Sequence, residues 1–320
     1  MIKDCFVGFD TSNYTTSASV CTADGEVVAN IKIPLPVKAG ECGLRQSDAV
    51  FAHIKNLPQA LEALREAVRP YRVLAVGCSV RPREAEGSYM PCFLAGKVAA
   101  DAFATALDVP VLECSHQDGH IMAAAYSCGS MESLLKDRFC AFHVSGGTTE
   151  ILYVQPKKEG FSVTLVGGTS DLNAGQAIDR VGVMMGLRFP CGREMEGLAR
   201  AWSGKIPAAR ICVRDGYCNL SGLQNLAEKL WRETKDQALV SAYVFSFLGK
   251  TLQKMTESLD EKYGEIPVVY AGGVMSNGIL QKLLSKRPKT YFAEPQFSAD
   301  NAAGVALLCR QKYFGKSEDQ

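Results

Sequence analysis

Two histidines in this sequence are spaced so that they could share one metal ion. The chain contains four histidines, and His116 and His120 form an H-x-x-x-H pair. A separation of four residues places both imidazoles on the same face of a helix. The residue after His116 is Gln117 rather than the glutamate of H-E-x-x-H zinc proteases. The pair therefore predicts a metal site and disfavours a metalloprotease.

A third metal ligand must come from elsewhere in the chain, and Asp300 is a candidate. It precedes an apolar stretch with helical spacing. An aspartate there could bind a metal or could cap the helix N-terminus. The sequence leaves both interpretations open. His53 and His143 have no partner motif, and we interpret them as structural.

Two polar loops follow buried strands and could bind an anion. Glycine lets the backbone approach an anion closely, and hydroxyl and free N–H groups can surround phosphate oxygens. Asp10 could also hold a cation or orient a water molecule. Neither loop contains a Walker A lysine or a G-x-G-x-x-G pattern, and the second could be an ordinary hairpin turn. The two loops are Asp10-Thr11-Ser12 and Ser145-Gly146-Gly147-Thr148-Thr149.

A third glycine turn follows the strand that begins at Val268. Gly272 and Gly273 would let an adenine or a ribose lie against bare backbone. Asn277 follows near a helix start, within reach of a ribose or a base edge. A simple strand-to-helix connection also favours glycine, so the turn alone does not distinguish a nucleotide site from an ordinary connection.

The elements that must position these residues alternate between strands and helices. An opening strand and a hairpin precede a helix over 47–68, a strand over 73–80, a helix over 93–107 and a strand over 109–114. Strands at 139–144, 150–154 and 161–167 follow, then a long helix over 223–263, a strand from 268 and a last helix over 300–313. Both halves begin with a strand, a polar loop and a hairpin, which predicts an α/β fold with a duplicated lobe.

Composition limits the class of protein. The chain has 320 residues, of which 47% are hydrophobic, enough for a large core in one elaborate domain or two lobes. No uncharged apolar run reaches the ~18 residues of a membrane span. Twelve cysteines without a C-x-x-C pair indicate reduced thiols and a cytoplasmic location. The net charge is +1, which predicts no global basic field but allows a local basic patch.

Seven short segments together resemble the TsaD-type tRNA threonylcarbamoyladenosine synthases, formerly called O-sialoglycoprotein endopeptidases. They occur in family order over nearly the whole chain, and the combination is specific although each segment is short. The segments are Gly8 to Ser12, His116 to His120, Val144 to Thr148, Asn173 to Arg180, Gly186 to Gly192, Ala271 to Asn277 and Asp300 to Ala303.

The resemblance implies a fold and a domain organisation. The fold would be the two-lobed actin/Hsp70-like (ASKHA) type, with duplicated mixed-sheet lobes and a nucleotide cleft between them. We expect an N-terminal lobe over 1–130, with a C-terminal helix over 298–315 packing back on it. The C-terminal lobe would span 131–297.

The resemblance also implies the chemistry. One divalent metal, iron or zinc, would be bound by His116, His120 and Asp300. Threonylcarbamoyl-AMP would donate its acyl group to N6 of adenosine in the tRNA anticodon loop, and TsaB-like and TsaE-like partner proteins would be expected, with a possible homodimer or heterodimer. The nucleotide contacts would come from His143, Val144, Ser145, Gly146, Gly147, Asp179, Gly192 and Asn277.

This chain departs from the family pattern close to the expected site. The family's D-T-S-x-D-E-T loop here continues from Ser12 without either acid, since positions 14 and 15 are Tyr14 and Thr15. Arg81 and Arg83 replace two glycines and could contact a phosphate or a carboxylate or simply lie in solvent. Gln176 replaces a family glutamate, and Thr148-Thr149 replaces a pair that contains histidine.

These departures leave three functions open. The protein could be the tRNA acyltransferase, with Asp10 and Ser12 as its catalytic residues. It could be a divergent paralogue that transfers a carbamoyl group to another acceptor. It could also be a non-catalytic nucleotide-binding partner in the tRNA-modifying complex. Retained metal ligands favour the enzymes, and the missing acidic pair favours the partner.

Overall fold

The computed structural model describes residues 2–36 and 44–317. The residues group into two compact units. Unit 1 consists of Met1–Met131, Pro156–Ser162 and Gln296–Gln320, and unit 2 consists of Glu132–Gln155 and Val163–Pro295.

The strands and helices alternate along much of the chain, as the sequence predicted. The strands are β1 (Lys3–Thr11), β2 (Thr15–Thr22), β3 (Val27–Pro34), β4 (Tyr71–Arg81), β5 (Val111–Ser115), β6 (Phe139–Val144), β7 (Thr149–Lys157), β8 (Gly160–Thr169), β9 (Val213–Arg214), β10 (Tyr217–Cys218), β11 (Val268–Ala271) and β12 (Thr290–Phe292). The helices are α1 (Gln46–Val68), α2 (Phe93–Leu107), α3 (His116–Ser127), α4 (Met131–Leu134), α5 (Ala174–Met184), α6 (Gly192–Ala201), α7 (Ser221–Thr234), α8 (Gln237–Tyr263), α9 (Gly278–Leu284), α10 (Pro295–Ser298) and α11 (Ala303–Ser317).

The two sheets share one topology. The sheet of unit 1 has the order β3-β2-β1-β4-β5, and the sheet of unit 2 contains the matching order β8-β7-β6-β11-β12 with β10 and β9 added beyond β8. Both sheets are mixed, since β1 is antiparallel to β2 and parallel to β4, while β6 is antiparallel to β7 and parallel to β11. This confirms the predicted duplicated α/β architecture.

Strand β1 is buried on both faces, which places the loop after it against two layers of helix. Val7 and Phe9 point toward a cluster that contains Leu57 of α1 and Ala95 of α2. Because side chains alternate along a strand, Gly8 faces the opposite way, and a side chain there would meet the backbone of Ala306 in α11. The polar end of β1 is therefore held firmly in place.

The predicted long helix over 223–263 is wrong in one respect, because it is two helices. Helix α7 ends at Thr234 and is followed by the C-cap Lys235, which has a left-handed φ of 52°, and the N-cap Asp236 then precedes α8. The carboxylate of Asp236 accepts from the backbone N–H groups of Ala238 and Leu239 at 2.9 and 3.0 Å. Apolar spacing continues on both sides of the break, so periodicity could not locate it.

Strand β11 ends at Ala271, where the predicted glycine turn begins, and a 3-10 turn follows over Gly273–Ser276. One other predicted boundary shifts, because the last helix begins at Ala303 rather than Asp300. Among the helices that the structure describes, none is long and apolar enough to cross a membrane.

Candidate metal centre and nucleotide loops

Three side chains of unit 1 converge at the start of helix α3. Nε2 of His120 lies 3.0 Å from Nε2 of His116 and 3.1 Å from Oδ1 of Asp300. Nε2 of His116 lies 3.7 Å from the same carboxylate oxygen. One ligand atom from each of the three residues lies within 4.8 Å of the others. The structure thus brings together the three residues that the sequence and the resemblance suggested as ligands.

These separations suit a single ion. Nitrogen and oxygen ligands about 2.0–2.2 Å from a tetrahedral metal lie about 3.3–3.6 Å from each other, close to the observed spacing. Two imidazoles and a carboxylate form a donor set that zinc or iron accepts. The residues present therefore fit a divalent transition metal.

The capping interpretation of Asp300 is wrong. The backbone N–H of Ala303 donates instead to Oδ1 of Asn301 at 3.0 Å. Both oxygens of Asp300 have other contacts: Oδ1 faces the imidazoles, and Oδ2 accepts from the Ser12 hydroxyl at 2.5 Å. Asn301 follows Asp300 directly, so the sequence placed the cap one residue too early.

Asp10 and Ser12 contact the ligands from the loop after β1. Oδ1 of Asp10 lies 2.9 Å from Nδ1 of His116 and also accepts from the hydroxyl of Ser79, a residue that the sequence analysis missed. Asp10 is fully buried, and its other oxygen has no hydrogen-bond partner among the described residues. A carboxylate on the far nitrogen of a metal-binding histidine fixes the orientation and tautomer of the ring.

Close packing of α3 against α11 sets the spacing of the ligands. A side chain at Gly304 would lie 1.8 Å from the backbone oxygen of Gly119. Gly119 lies between the two histidines, and Gly304 lies four residues after Asp300, at the start of α11. Glycine at both positions lets the two backbones approach closely enough for the carboxylate to reach the imidazoles.

The charges in this cluster stabilise one another. Burial on its own would lower the pKa of His116, but the carboxylates of Asp10 and Asp300 raise it to about 9. Burial also opposes the charged form of Asp300, but contacts with the imidazoles and with Ser12 hold the pKa of Asp300 well below its usual range. The cluster is therefore a half-buried, charged group, and a metal ion bound there would have to displace the proton that the carboxylates favour on His116.

The loop after Ser12 carries no carboxylate, in keeping with its sequence. Tyr14 is half exposed. Thr16 instead contacts His53, whose Nδ1 lies 2.8 Å from the threonine hydroxyl and whose Nε2 lies 2.8 Å from the backbone oxygen of Ser12. Burial lowers the pKa of His53. A hydrogen-bonded histidine in the core agrees with the structural interpretation of this residue.

In unit 2, the two glycine turns lie against each other. Gly272 has a φ of +100°, and a side chain there would lie 2.2 Å from the backbone oxygen of Val144. By contrast, side chains added at Gly146, Gly147 or Gly273 would point into open space. The turns thus have a packed side, which requires glycine at position 272, and an open side, where a flat ligand could approach the backbone.

The start of helix α5 closes one side of the Ser145–Thr149 loop. The N–H of Gly175 donates to the backbone oxygen of Ser145 at 3.1 Å, and the N–H of Ala174 donates to the Thr149 hydroxyl at 2.9 Å. Gln176 accepts from the backbone N–H of Asn173 at 3.3 Å. Glutamine supports this helix start through an oxygen that a glutamate would also provide, so this departure from the family pattern is mild.

The remaining residues expected at the nucleotide have defined positions in unit 2. Asp179 accepts from the backbone N–H of Cys191 at 2.8 Å, and burial raises its pKa. Asn277 caps α9 through its oxygen, while its buried Nδ2 has no partner among the described residues. His143 is half-buried in β6, opposite Ala271 and Glu150. Gly192 begins α6.

A family model described as TsaD, tRNA N6-adenosine threonylcarbamoyltransferase, matches residues 38–307 of the chain. The chain belongs to this family. The proteins of that name from Streptococcus gordonii and from Streptococcus pneumoniae strain CGSP14 are 29% and 30% identical to it. Each alignment covers 95% of this chain and 91% of the relative. The predicted family and the predicted acyltransferase class are confirmed.

Solved structures with the same fold are far more distant in sequence. Full-length HypF in its phosphate- and nucleotide-bound form has a TM-score of 0.58 at 15% identity, over 100% of this chain and 56% of HypF. A ROK family glucokinase from Streptomyces griseus, in complex with glucose and AMPPNP, has a TM-score of 0.51 at 14% identity, over 96% and 99% of the two chains. At such identities the likeness shows the fold alone, and it confirms the actin/Hsp70-like class.

Two arginines distinguish this TsaD-family member from the usual glycine-containing loop. Arg81 ends β4, next to Ser115 in β5, and its guanidinium pairs with Glu84 at 3.0 Å. The backbone oxygen of Pro82 accepts from the N–H of Gln117 in the first turn of α3 at 3.0 Å. The rebuilt loop thus contacts the helix that carries both histidines. The backbone N–H of Arg83 donates to the hydroxyl of Ser88 at 3.1 Å.

Proposed function

We propose that this protein transfers a threonylcarbamoyl group from threonylcarbamoyl-AMP to N6 of adenosine in the tRNA anticodon loop. The observation that carries the proposal is the convergence of His116, His120 and Asp300 in a chain of the TsaD family. A divalent iron or zinc ion bound there would polarise an oxygen of the acyl group as a Lewis acid. The protein's own residues would bind, orient and position the reactants.

The nucleotide part of the donor is assigned to unit 2. The backbone of Ser145, Gly146 and Gly147 would receive its phosphate, and the open face of Gly273 would receive its adenosine. The unpartnered Nδ2 of Asn277 is buried and can donate to a ribose or a base. AMP is the leaving group and departs through an oxygen of its phosphate, so donors at this loop would stabilise the negative charge that develops there as the acyl bond breaks.

In unit 1, Asp10 and Ser12 are assigned to positioning. Asp10 would hold His116 in the tautomer whose Nε2 lone pair points to the ion, and Ser12 would fix the Asp300 carboxylate. The amine of adenine is a weak nucleophile that needs close placement and a proton acceptor. The first loop offers no acidic side chain at positions 14 and 15 for that role.

That missing acid is also compatible with a second enzymatic candidate. A paralogue that transfers a carbamoyl group to a more reactive acceptor would need no general base in the first loop. It would keep the same metal set and nucleotide loops. The acceptor therefore distinguishes the two candidates.

A TsaB-like partner is assigned to an exposed apolar face of unit 1. Phe51 and Ile54 on α1 are 65% and 53% exposed, and Leu94 and Val98 on α2 are 50% and 65% exposed. The two helices contact each other. Contiguous exposed apolar side chains mark interaction surfaces, and a heterodimer would cover them. We further propose a cytoplasmic location and a TsaE-like protein as a third component.

Reconstitution tests the function. The purified protein, with its metal content measured, is mixed with threonine, bicarbonate, ATP, an adenylate-forming synthase, the partner proteins and unmodified tRNA. The tRNA is digested and analysed by mass spectrometry for threonylcarbamoyladenosine. We expect product with the wild type, none with His116→Ala, and near wild-type product with Gln117→Ala, a neighbouring change on the same helix. If the metal-loaded wild type makes no product with all partners present, the tRNA reaction is excluded and the second candidate is favoured.

A further inference from the structure

Positive charge is concentrated in one segment of unit 2. Residues 180–214 contain seven of the chain's 35 lysines and arginines but two of its 34 acidic residues. This segment carries a net charge of +5, while the rest of the chain carries −4. The near-neutral total therefore hides a basic segment, and clustered basic side chains are what phosphate backbones attract.

Three arginines of this segment lie around one contact between α5 and α6. The backbone N–H of Cys191 donates to Oδ1 of Asp179, and this bond holds the start of α6 beside α5. Arg180 follows Asp179 directly, and Arg193 lies two residues after Cys191. Arg188 lies in the turn that joins the two helices. All three side chains are exposed.

These charges are available to a ligand. Arg188 and Arg193 make no ion pair or side-chain hydrogen bond within the described chain, and Arg180 has only a 3.4 Å contact with the neutral Gln224. Of the neighbouring carboxylates, Asp179 is occupied by the N–H of Cys191, and Glu194 is exposed on the adjacent face of α6. Further along α6, Arg200 is already paired with Glu196 at 2.6 Å.

An aromatic ring lies within the same surface. Phe189, between Arg188 and the start of α6, is 74% exposed. At this exposure the ring is accessible to a ligand, and it would gain apolar burial on binding one. Aromatic rings flanked by arginines are typical of surfaces that bind single-stranded nucleic acid, where the ring stacks on a base and the cations contact phosphates.

We propose that Arg180, Arg188, Phe189 and Arg193, here called the α5–α6 surface, bind the acceptor RNA. The arginines contact phosphates on either side of an unstacked loop base, and Phe189 stacks on that base. This inference rests on the proposed function for its choice of RNA, and it adds the residues that hold the acceptor. No catalytic role is assigned to the four side chains.

The test measures RNA binding without any acyl donor. A fluorescent anticodon stem–loop is titrated with the full chain at several salt concentrations. We expect the double variant Arg188→Ala, Arg193→Ala to bind RNA at least tenfold more weakly near 0.1 M salt. The slope of the logarithm of the binding constant against the logarithm of the salt concentration should become shallower, corresponding to about one to two fewer released counterions. Phe189→Ala should weaken binding by roughly tenfold with an unchanged salt dependence, because stacking is not ionic.

Arg200→Ala is the matched control. It removes the same charge from the same helix, but that arginine is already neutralised by Glu196. We expect an affinity within twofold of the wild type. A loss of affinity in Arg200→Ala as large as the loss per arginine in the double variant would indicate a response to net charge alone and would overturn the assignment. Wild-type affinity in both the double variant and Phe189→Ala would overturn it as well.

The outcome is separable from that of the proposed function. If RNA binding depends on the α5–α6 surface but no modified tRNA is formed, the RNA-binding role of the surface is supported and the proposed reaction is rejected. If the double variant forms product at the wild-type rate at subsaturating RNA, the proposed reaction is supported and the RNA-binding role of the surface is rejected. Circular dichroism and thermal unfolding of each variant confirm that the fold is intact.

Discussion

Nδ1 of His116 lies 2.9 Å from Oδ1 of the fully buried Asp10, and this contact fixes the orientation of the imidazole at the first residue of helix α3. Replacing Asp10 with Asn keeps the size of the side chain but removes its charge. We expect metal affinity to fall about 10- to 100-fold, because a neutral partner lowers the basicity of the imidazole and fixes its tautomer less firmly. Competition against a chelator of known affinity measures the loss.

The control for this prediction is Asp48→Asn, which neutralises an exposed carboxylate in the first turn of α1. It should leave metal affinity unchanged. Equal affinities for Asp10→Asn and the wild type would mean that the buried carboxylate does not tune His116.

The close approach of α3 and α11 gives a second prediction. Gly304→Ala inserts a methyl group 1.8 Å from the backbone oxygen of Gly119, so the helices must separate. We expect a loss of about 1–3 kcal/mol in the free energy of unfolding and a lower metal content, because Asp300 moves away from the imidazoles. Urea denaturation and elemental analysis provide the two readouts.

Gly315→Ala, on the same helix, is the control for Gly304→Ala. A side chain there makes ordinary contacts of 3.5 Å or more, and alanine favours helix over glycine by about 1 kcal/mol. This variant should be as stable as the wild type or more stable. A Gly304→Ala protein that retained full stability and metal would show that the helix spacing does not set the ligand geometry.

Two adjacent glycines should respond in opposite ways. Gly272→Ala forces a side chain into a left-handed conformation and against Val144, so we expect at least about 2 kcal/mol of destabilisation. Gly273→Ala points into open space, so its stability should match the wild type, while adenylate binding weakens. Thermal unfolding measures the stability of each variant, and calorimetric titration with a non-hydrolysable adenylate measures its nucleotide affinity. Unchanged adenylate affinity in Gly273→Ala would remove this turn from the nucleotide site.

Asp171 provides a prediction about pH. It accepts from the backbone N–H groups of Leu220 and Ser221 at 2.8 and 3.1 Å, at the start of α7. Although burial opposes the charge, hydrogen bonds from Ser221 and from nearby backbone groups hold the pKa of Asp171 well below its usual range. A depressed pKa contributes stability above the unfolded value of about 3.9, and that stability is lost as the pH falls below it.

Asp171→Ala should therefore lower the free energy of unfolding by about 0.5–2 kcal/mol at pH 7, as the loss of a helix cap does. The difference from the wild type should stay constant down to about pH 5 and narrow below about pH 4. Urea denaturation across this range measures it. A difference that widened toward acid pH would contradict the assigned direction of the pKa shift.

The sequence by itself predicted the main elements and the three possible metal ligands. Apolar spacing placed α2 at its observed bounds and α1 within one residue, because both helices bury one face. The spacing of His116 and His120 placed two donors on one helical face, a property that depends only on helix geometry. The glycine turns were found in the same way, because glycine marks local backbone conformation.

The tertiary structure decided what local pattern could not. Asp300 lies 180 residues from His120, and its choice between capping a helix and facing the imidazoles depended on how α11 crosses α3 at Gly304 and Gly119. The break between α7 and α8 was hidden because apolar spacing continued through it. The basic segment over 180–214 can be counted in the sequence, but only the structure shows that the side chains of the α5–α6 surface are exposed. Spacing along a helix or strand is local, whereas contacts between distant segments and the exposure of each charge arise only when the chain packs.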